Sequence, residues 1–110
     1  MRILFFLFAF LLSSAAFAGP AECFDEAVSK ERINVDTAIL LCRGARSNGP
    51  VDCFRAFKNY GYNLYARWSD DQVSGLCAGA EDSGPADCAN KVKDVLNVEK
   101  SAQLCGAASS

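Results

Sequence analysis

Six cysteines and no histidine bound the chemistry open to this 110-residue chain. Zinc and iron–sulfur sites draw on thiolates and imidazoles, usually with close Cys-x-x-Cys pairs. Here the cysteines nearest in sequence, Cys42/Cys53 and Cys77/Cys88, are separated by ten residues. No metal and no other cofactor is therefore expected. The usual thiol-exchange motif is missing for the same reason. The cysteines can instead pair with one another, and Cys23, Cys42, Cys53, Cys77, Cys88 and Cys105 are all read as structural disulfides.

Acid–base catalysis is poorly supplied. Without histidine, the commonest general base near neutral pH and the triads built on it are absent. Carboxylates occur as neighbours in Asp70-Asp71 and Glu81-Asp82, but adjacent residues on a helix point in different directions and cannot flank one bond. The glycines of Cys-x-Gly-Ala lack the Gly-Lys-Ser/Thr ending of a phosphate loop. Gly44 and Gly79 are read as permitting close helix packing beside a disulfide. The chain is not expected to be an enzyme.

The cysteines are set in a phrase that recurs. Leu41-Cys42-Arg43-Gly44-Ala45 leads to Gly49-Pro50-Val51-Asp52-Cys53, and Leu76-Cys77-Ala78-Gly79-Ala80 leads to Gly84-Pro85-Ala86-Asp87-Cys88. Gly19-Pro20-Ala21-Glu22-Cys23 and Leu104-Cys105-Gly106-Ala107 supply the matching halves at the two ends. The implied unit is used three times, over 19–48, 49–83 and 84–110.

Residues 1–18 stand outside this pattern. Arg2, the apolar run Ile3–Leu12 and the small-x-small sequence Ala16-Phe17-Ala18 form a secretory leader. The run is too short to span a bilayer as a helix. Cleavage after Ala18 leaves a single domain of 92 residues, 19–110, holding all six cysteines and no transmembrane span. Losing Arg2 sets thirteen acidic side chains against ten basic ones, a net charge of -3. That balance offers no basic footprint for nucleic acid or anionic lipid. An exported product, periplasmic or extracellular, follows from the leader together with the even number of cysteines. A domain this small gains from such staples, at about 3 kcal/mol for a loop of about 15 residues.

Each unit carries the signals of two helices. Pro20, Pro50 and Pro85 suit the first helical turn, and Glu22, Asp52 and Asp87 are placed to receive its free N–H groups. Apolar residues follow each first cysteine at helical spacing: Ala27, Phe57 and Val92, with Val95 and Leu96 extending the third face. Eight residues before each second cysteine stands Asn34, Ser69 or Asn97, all favourable N-caps, and Ser69 with Gln72 makes a capping box. The expected fold is all-α: three helical hairpins, about six short helices, stapled by disulfides. Ala107–Ser110 reads as a fraying tail.

Two pairing schemes suit this layout. Pairs 23–42, 53–77 and 88–105 close each unit on itself. Pairs 42–53 and 77–88, with 23–105, link the units instead. The first is favoured because it explains why every unit carries two cysteines.

The middle unit departs from its neighbours. Between their cysteines the units hold 18, 23 and 16 residues, and the excess in the second is aromatic. Six of the seven aromatic residues of 19–110 lie between 54 and 68: Phe54, Phe57, Tyr60, Tyr62, Tyr65 and Trp68. Phe57 is assigned to the core. Tyr60, Tyr62, Tyr65 and Trp68, with Arg55 and Arg67 as polar partners, form the candidate binding set, since tyrosine, tryptophan and arginine dominate interface hot spots. The expected function is a protein-binding module whose partner is another protein, with self-association also open. A small lipid or hydrophobic-ligand carrier is the alternative class if the rings line a cavity. An inhibitor of an exported enzyme and a structural envelope or matrix role remain compatible readings.

Overall fold

The computed structural model describes residues 19–106; residues 1–18, expected to be a leader, and Ala107–Ser110, expected to be a fraying tail, lie outside the described residues. Among the described residues the fold is all-helical, with α1 Pro20–Ser29, α2 Val35–Cys42, α3 Gly49–Asn59, α4 Tyr62–Tyr65, α5 Asp70–Cys77, α6 Gly84–Val92 and α7 Val98–Cys105. Six of the seven are the expected hairpin helices. The seventh, α4, is a single turn made by the aromatic insertion.

The caps read from sequence hold the second helix of each hairpin. Asn34 Oδ1 accepts from Thr37 N at 2.8 Å, and Asn97 Oδ1 accepts from Lys100 N at 2.8 Å. Ser69 and Gln72 exchange two bonds, with Gln72 N donating to Ser69 Oγ at 3.1 Å and Ser69 N to Gln72 Oε1 at 2.8 Å. The first helices start differently from expectation. Glu22 does accept from Gly19 N at 2.9 Å, but the free N–H groups of Gly49 and Gly84 donate to Ser47 Oγ and Asp82 Oδ1. Asp52 and Asp87 turn sideways, Asp52 to Arg55 and Asp87 to the hydroxyls of Tyr60 and Ser83.

Three disulfides staple the helices: Cys23–Cys42 joins α1 to α2, Cys53–Cys77 joins α3 to α5, and Cys88–Cys105 joins α6 to α7. Each bridges the first turns of one helix to the last residue of the other, with Cα atoms 5.6 Å apart, so each pair runs antiparallel. The hairpins stack into two rows. Helices α1, α3 and α6 lie side by side in one row, and α2, α5 and α7 in the other. Between the rows the core is formed by Ala27, Ala38, Leu41, Phe54, Phe57, Val73 and Leu76, all at most 1% exposed. Burying a side chain such as Phe57 or Leu41 contributes about 1.5–3 kcal/mol, which the bridges supplement. The face extended to Val95 and Leu96 is not continued, because α6 ends at Val92 and Val95 is exposed.

The glycines divide the work in a way the sequence did not reveal. Gly44 and Gly79 have φ of +71° and +79°, and a Cβ on either would meet nothing within 4 Å. Their role is the left-handed turn after a disulfide, not close packing. Close packing belongs to Gly49, whose added Cβ would lie 2.3 Å from the Ala80 carbonyl oxygen.

Candidate interaction surface

The insertion is built from the inside outward. Helix α3 ends at Asn59, Gly61 turns the chain at φ +95°, and α4 brings Leu64 and the Tyr65 ring back onto α3. Leu64 is 1% exposed and Trp68 is 7% exposed. The Trp68 ring meets Phe57 edge-on, with centroids 5.0 Å apart and planes at 67°. Tyr65 makes similar edge contacts with Phe54 and Phe57, at 6.4 and 6.2 Å. Edge-to-face pairs of this kind add about 0.5–1.5 kcal/mol beyond area burial. These rings pack against one another, so the insertion sits on a solid aromatic base.

Hydroxyl and guanidinium groups pin the segment from outside. Tyr65 donates to Asp70 at the start of α5, and Tyr60 donates to Asp87 in α6. Burial, with the Asp70 hydrogen bond second, pushes the Tyr65 phenol up to about 12. The Asp87 hydrogen bond, helped by desolvation, raises Tyr60 as well. Neither phenol is a proton donor or acceptor of use near neutral pH. Arg67 Nη1 donates to the Lys93 carbonyl at 2.6 Å, tying the end of the insertion to the connection between α6 and α7.

The six candidate residues therefore separate. Tyr62 is 86% exposed and, with Arg67, lines an open groove of about 460 Å³ completed by Asn63, Ala66, Lys93 and Asp94. Tyr60 is partly exposed at the entrance to the insertion, and Tyr65 is half-buried. Trp68 belongs to the core, because its ring fills the space over Phe57 before the Ser69 cap. Arg55 lies elsewhere, bound to Glu26 at 2.8 Å and Glu31 at 3.0 Å between α3 and α1.

Sequence reading missed Lys93 and Asp94 as groove residues and Val95, beside them in the chain, as an exposed apolar group. The only available signal was the lysine-acid pair that interrupts the α6 apolar spacing. Among the described residues, no three cysteine or carboxylate side chains converge so as to hold a metal ion. The three bridges indicate an oxidising, exported environment. No described helix is long and apolar enough to cross a membrane. No family model, curated protein or solved structure matches the chain.

Proposed function

We propose that the chain is an exported protein-binding module, built from three copies of one disulfide-closed hairpin, whose recognition surface is the groove beside α4. The observation that carries this reading is Tyr62, a large aromatic ring held 86% exposed on a turn whose other face is locked into the core. The backbone beneath the ring is already fixed, so only two side-chain torsions remain to be ordered on binding, which favours a hot spot. Arg67 and Lys93 outnumber Asp94 in the groove and leave it net positive, so it suits a partner segment carrying an apolar side chain next to a carboxylate. The edge-to-face packing of Phe54, Phe57, Tyr65 and Trp68 supports this reading over a carrier, because the rings fill the space a ligand would need. Binding, not turnover, is the activity proposed.

The test is site-specific photo-crosslinking from position 62 in the exporting cell, followed by titration of the captured protein. Tyr62→Ala should weaken binding about tenfold or more, the scale of a hot-spot residue. Arg67→Glu should weaken it further at low salt. Unchanged affinity in both variants would remove the groove from consideration.

A further inference from the structure

The two ends of the stack are complementary to each other. The internal junction between the first and second hairpins shows what each position meets. Across it, Arg55 on α3 bonds Glu26 on α1, and Thr37 Oγ1 on α2 donates to Asp71 Oδ1 on α5 at 2.7 Å. Counted from the cysteines, Glu26 and Thr37 are positions that face the following hairpin. Arg55 and Asp71 are positions that face the preceding one. Leu41 also faces forward and is fully buried, as is Leu76 one hairpin later.

Among the described residues, no hairpin packs on the outer face of the third. Its forward positions are Lys91 (three after Cys88), Lys100 (five before Cys105) and Leu104, and all three are exposed, Leu104 by 64%. Among the described residues, none packs on the outer face of the first hairpin either. Its backward positions include Asp25, in the place of Arg55, and Asp36, in the place of Asp71, both exposed. Beside them an apolar groove of about 310 Å³ is lined by Pro20, Ala21, Phe24, Ile39, Cys42 and Arg43. In the second hairpin the places of Ala21 and Phe24 are taken by Val51 and Phe54, which the stack buries. Thr37 and Leu41, buried at the first junction, thus correspond to the exposed Lys100 and Leu104 at one end, and Ser74, buried there too, corresponds to the exposed Ile39 at the other. At the corresponding helix positions the charges are opposite, lysines at one end and aspartates at the other, with Arg43 lining the groove at the aspartate end and Glu81 and Asp82 near Leu104.

We infer that a second copy of this chain continues the stack head to tail, its α1/α2 end seated on the α6/α7 end of the first. In this contact Leu104 enters the groove beside Phe24 and Ile39. Lys91 meets Asp25 as Glu26 meets Arg55 inside the chain, with the signs exchanged. Lys100 meets Asp36 as Thr37 meets Asp71. The contact joins two different surfaces, so it leads to rings or to open chains, not to a closed two-fold pair. The inference rests on the proposed equivalence of the three hairpins and is independent of the groove at Tyr62.

The experiment is sedimentation of the protein purified from the exported fraction. Two variants are used, Ile39→Asp at one end and Leu104→Asp at the other. Both side chains are exposed, and the disulfide map with circular dichroism verifies that each variant is folded. The unmodified protein should grow past dimer with rising concentration, and less so at high salt. Each variant alone should stay monomeric. An equal mixture should form a one-to-one pair that grows no further, because one intact end of each kind remains. Lys91→Glu/Lys100→Glu should weaken association about tenfold and regain it with an Asp25→Lys/Asp36→Lys partner. Tyr62→Ala should associate normally, which separates this contact from the partner groove. An unmodified protein monomeric to millimolar concentration, a single-end variant that still dimerises, a mixture that fails to pair, or loss of association in Tyr62→Ala would each overturn the inference.

Discussion

Gly49 lies so close to Ala80 that a methyl group in place of its hydrogen would sit 2.3 Å from the Ala80 carbonyl oxygen and 2.6 Å from the Glu81 carbonyl carbon. Both obstacles are backbone, so neither can rotate away. Gly49→Ala should cost about 1–3 kcal/mol, as overpacking does. Gly75→Ala, exposed within α5 with nothing within 4 Å of its Cβ, should gain about 0.5–1 kcal/mol from helix propensity. Urea unfolding of the two variants with bridges intact checks both signs at once.

Trp68 and Tyr62 should behave as opposites. Trp68→Ala removes a ring packed on Phe57 and should cost about 3–5 kcal/mol. Tyr62→Ala should leave stability within about 0.5 kcal/mol of the unmodified protein. Since Trp68 is the single tryptophan, its emission should be blue-shifted and poorly quenched by iodide. A red, readily quenched emission would place the ring outside the core.

The bridges should open in a fixed order under mild reductant. Cys23, Cys42, Cys53 and Cys77 are at most 2% exposed, whereas Cys88 is half-buried and Cys105 is 8% exposed. Thiol exchange needs access to sulfur, so Cys88–Cys105 should be trapped first by alkylation and mass spectrometry. Prior release of Cys53–Cys77 would contradict the burial order.

Alkali should destabilise the fold through Tyr65. Its phenol ionises at about 12 in the folded chain against 10.0 for the free group, because burial and Asp70 favour the neutral form. A pKa raised by folding gives stability that is complete below pH 10 and is lost as pH climbs towards 12. Tyr65→Phe should abolish the latest step of an ultraviolet tyrosine titration and flatten the decline of stability over that range. An unchanged titration curve would show that a different tyrosine is the late one.

What the sequence made legible was what is local. Asn34, Ser69 and Asn97 each bond the N–H group three residues on, so a cap can be read without knowing the fold. The all-helical class followed from those caps and the apolar spacing. Asp52 and Asp87 looked like the same kind of signal, yet their partners come from another turn or another helix. Gly44 and Gly49 are indistinguishable as letters. One serves a left-handed turn and the other a close approach, and only the neighbouring hairpin decides which. Val95 continued a helical count, but α6 had already ended at Val92, before the connection to α7. Trp68 could face either way until the Phe57 ring was placed beneath it.

The bridges join cysteines in the order in which they occur, first with second, third with fourth, fifth with sixth, over separations of 19, 24 and 17 residues. Delivered N-terminus first across a membrane, as the proposed export requires, the chain would present Cys23, then Cys42, before the other four of these thiols. An oxidase that joins each newcomer to the thiol still waiting would therefore produce the native set directly. Reshuffling of wrong bridges, a process of seconds to hours, is bypassed. Maturation should then require an oxidase but no isomerase, and each hairpin can be sealed while the next is still inside the cell.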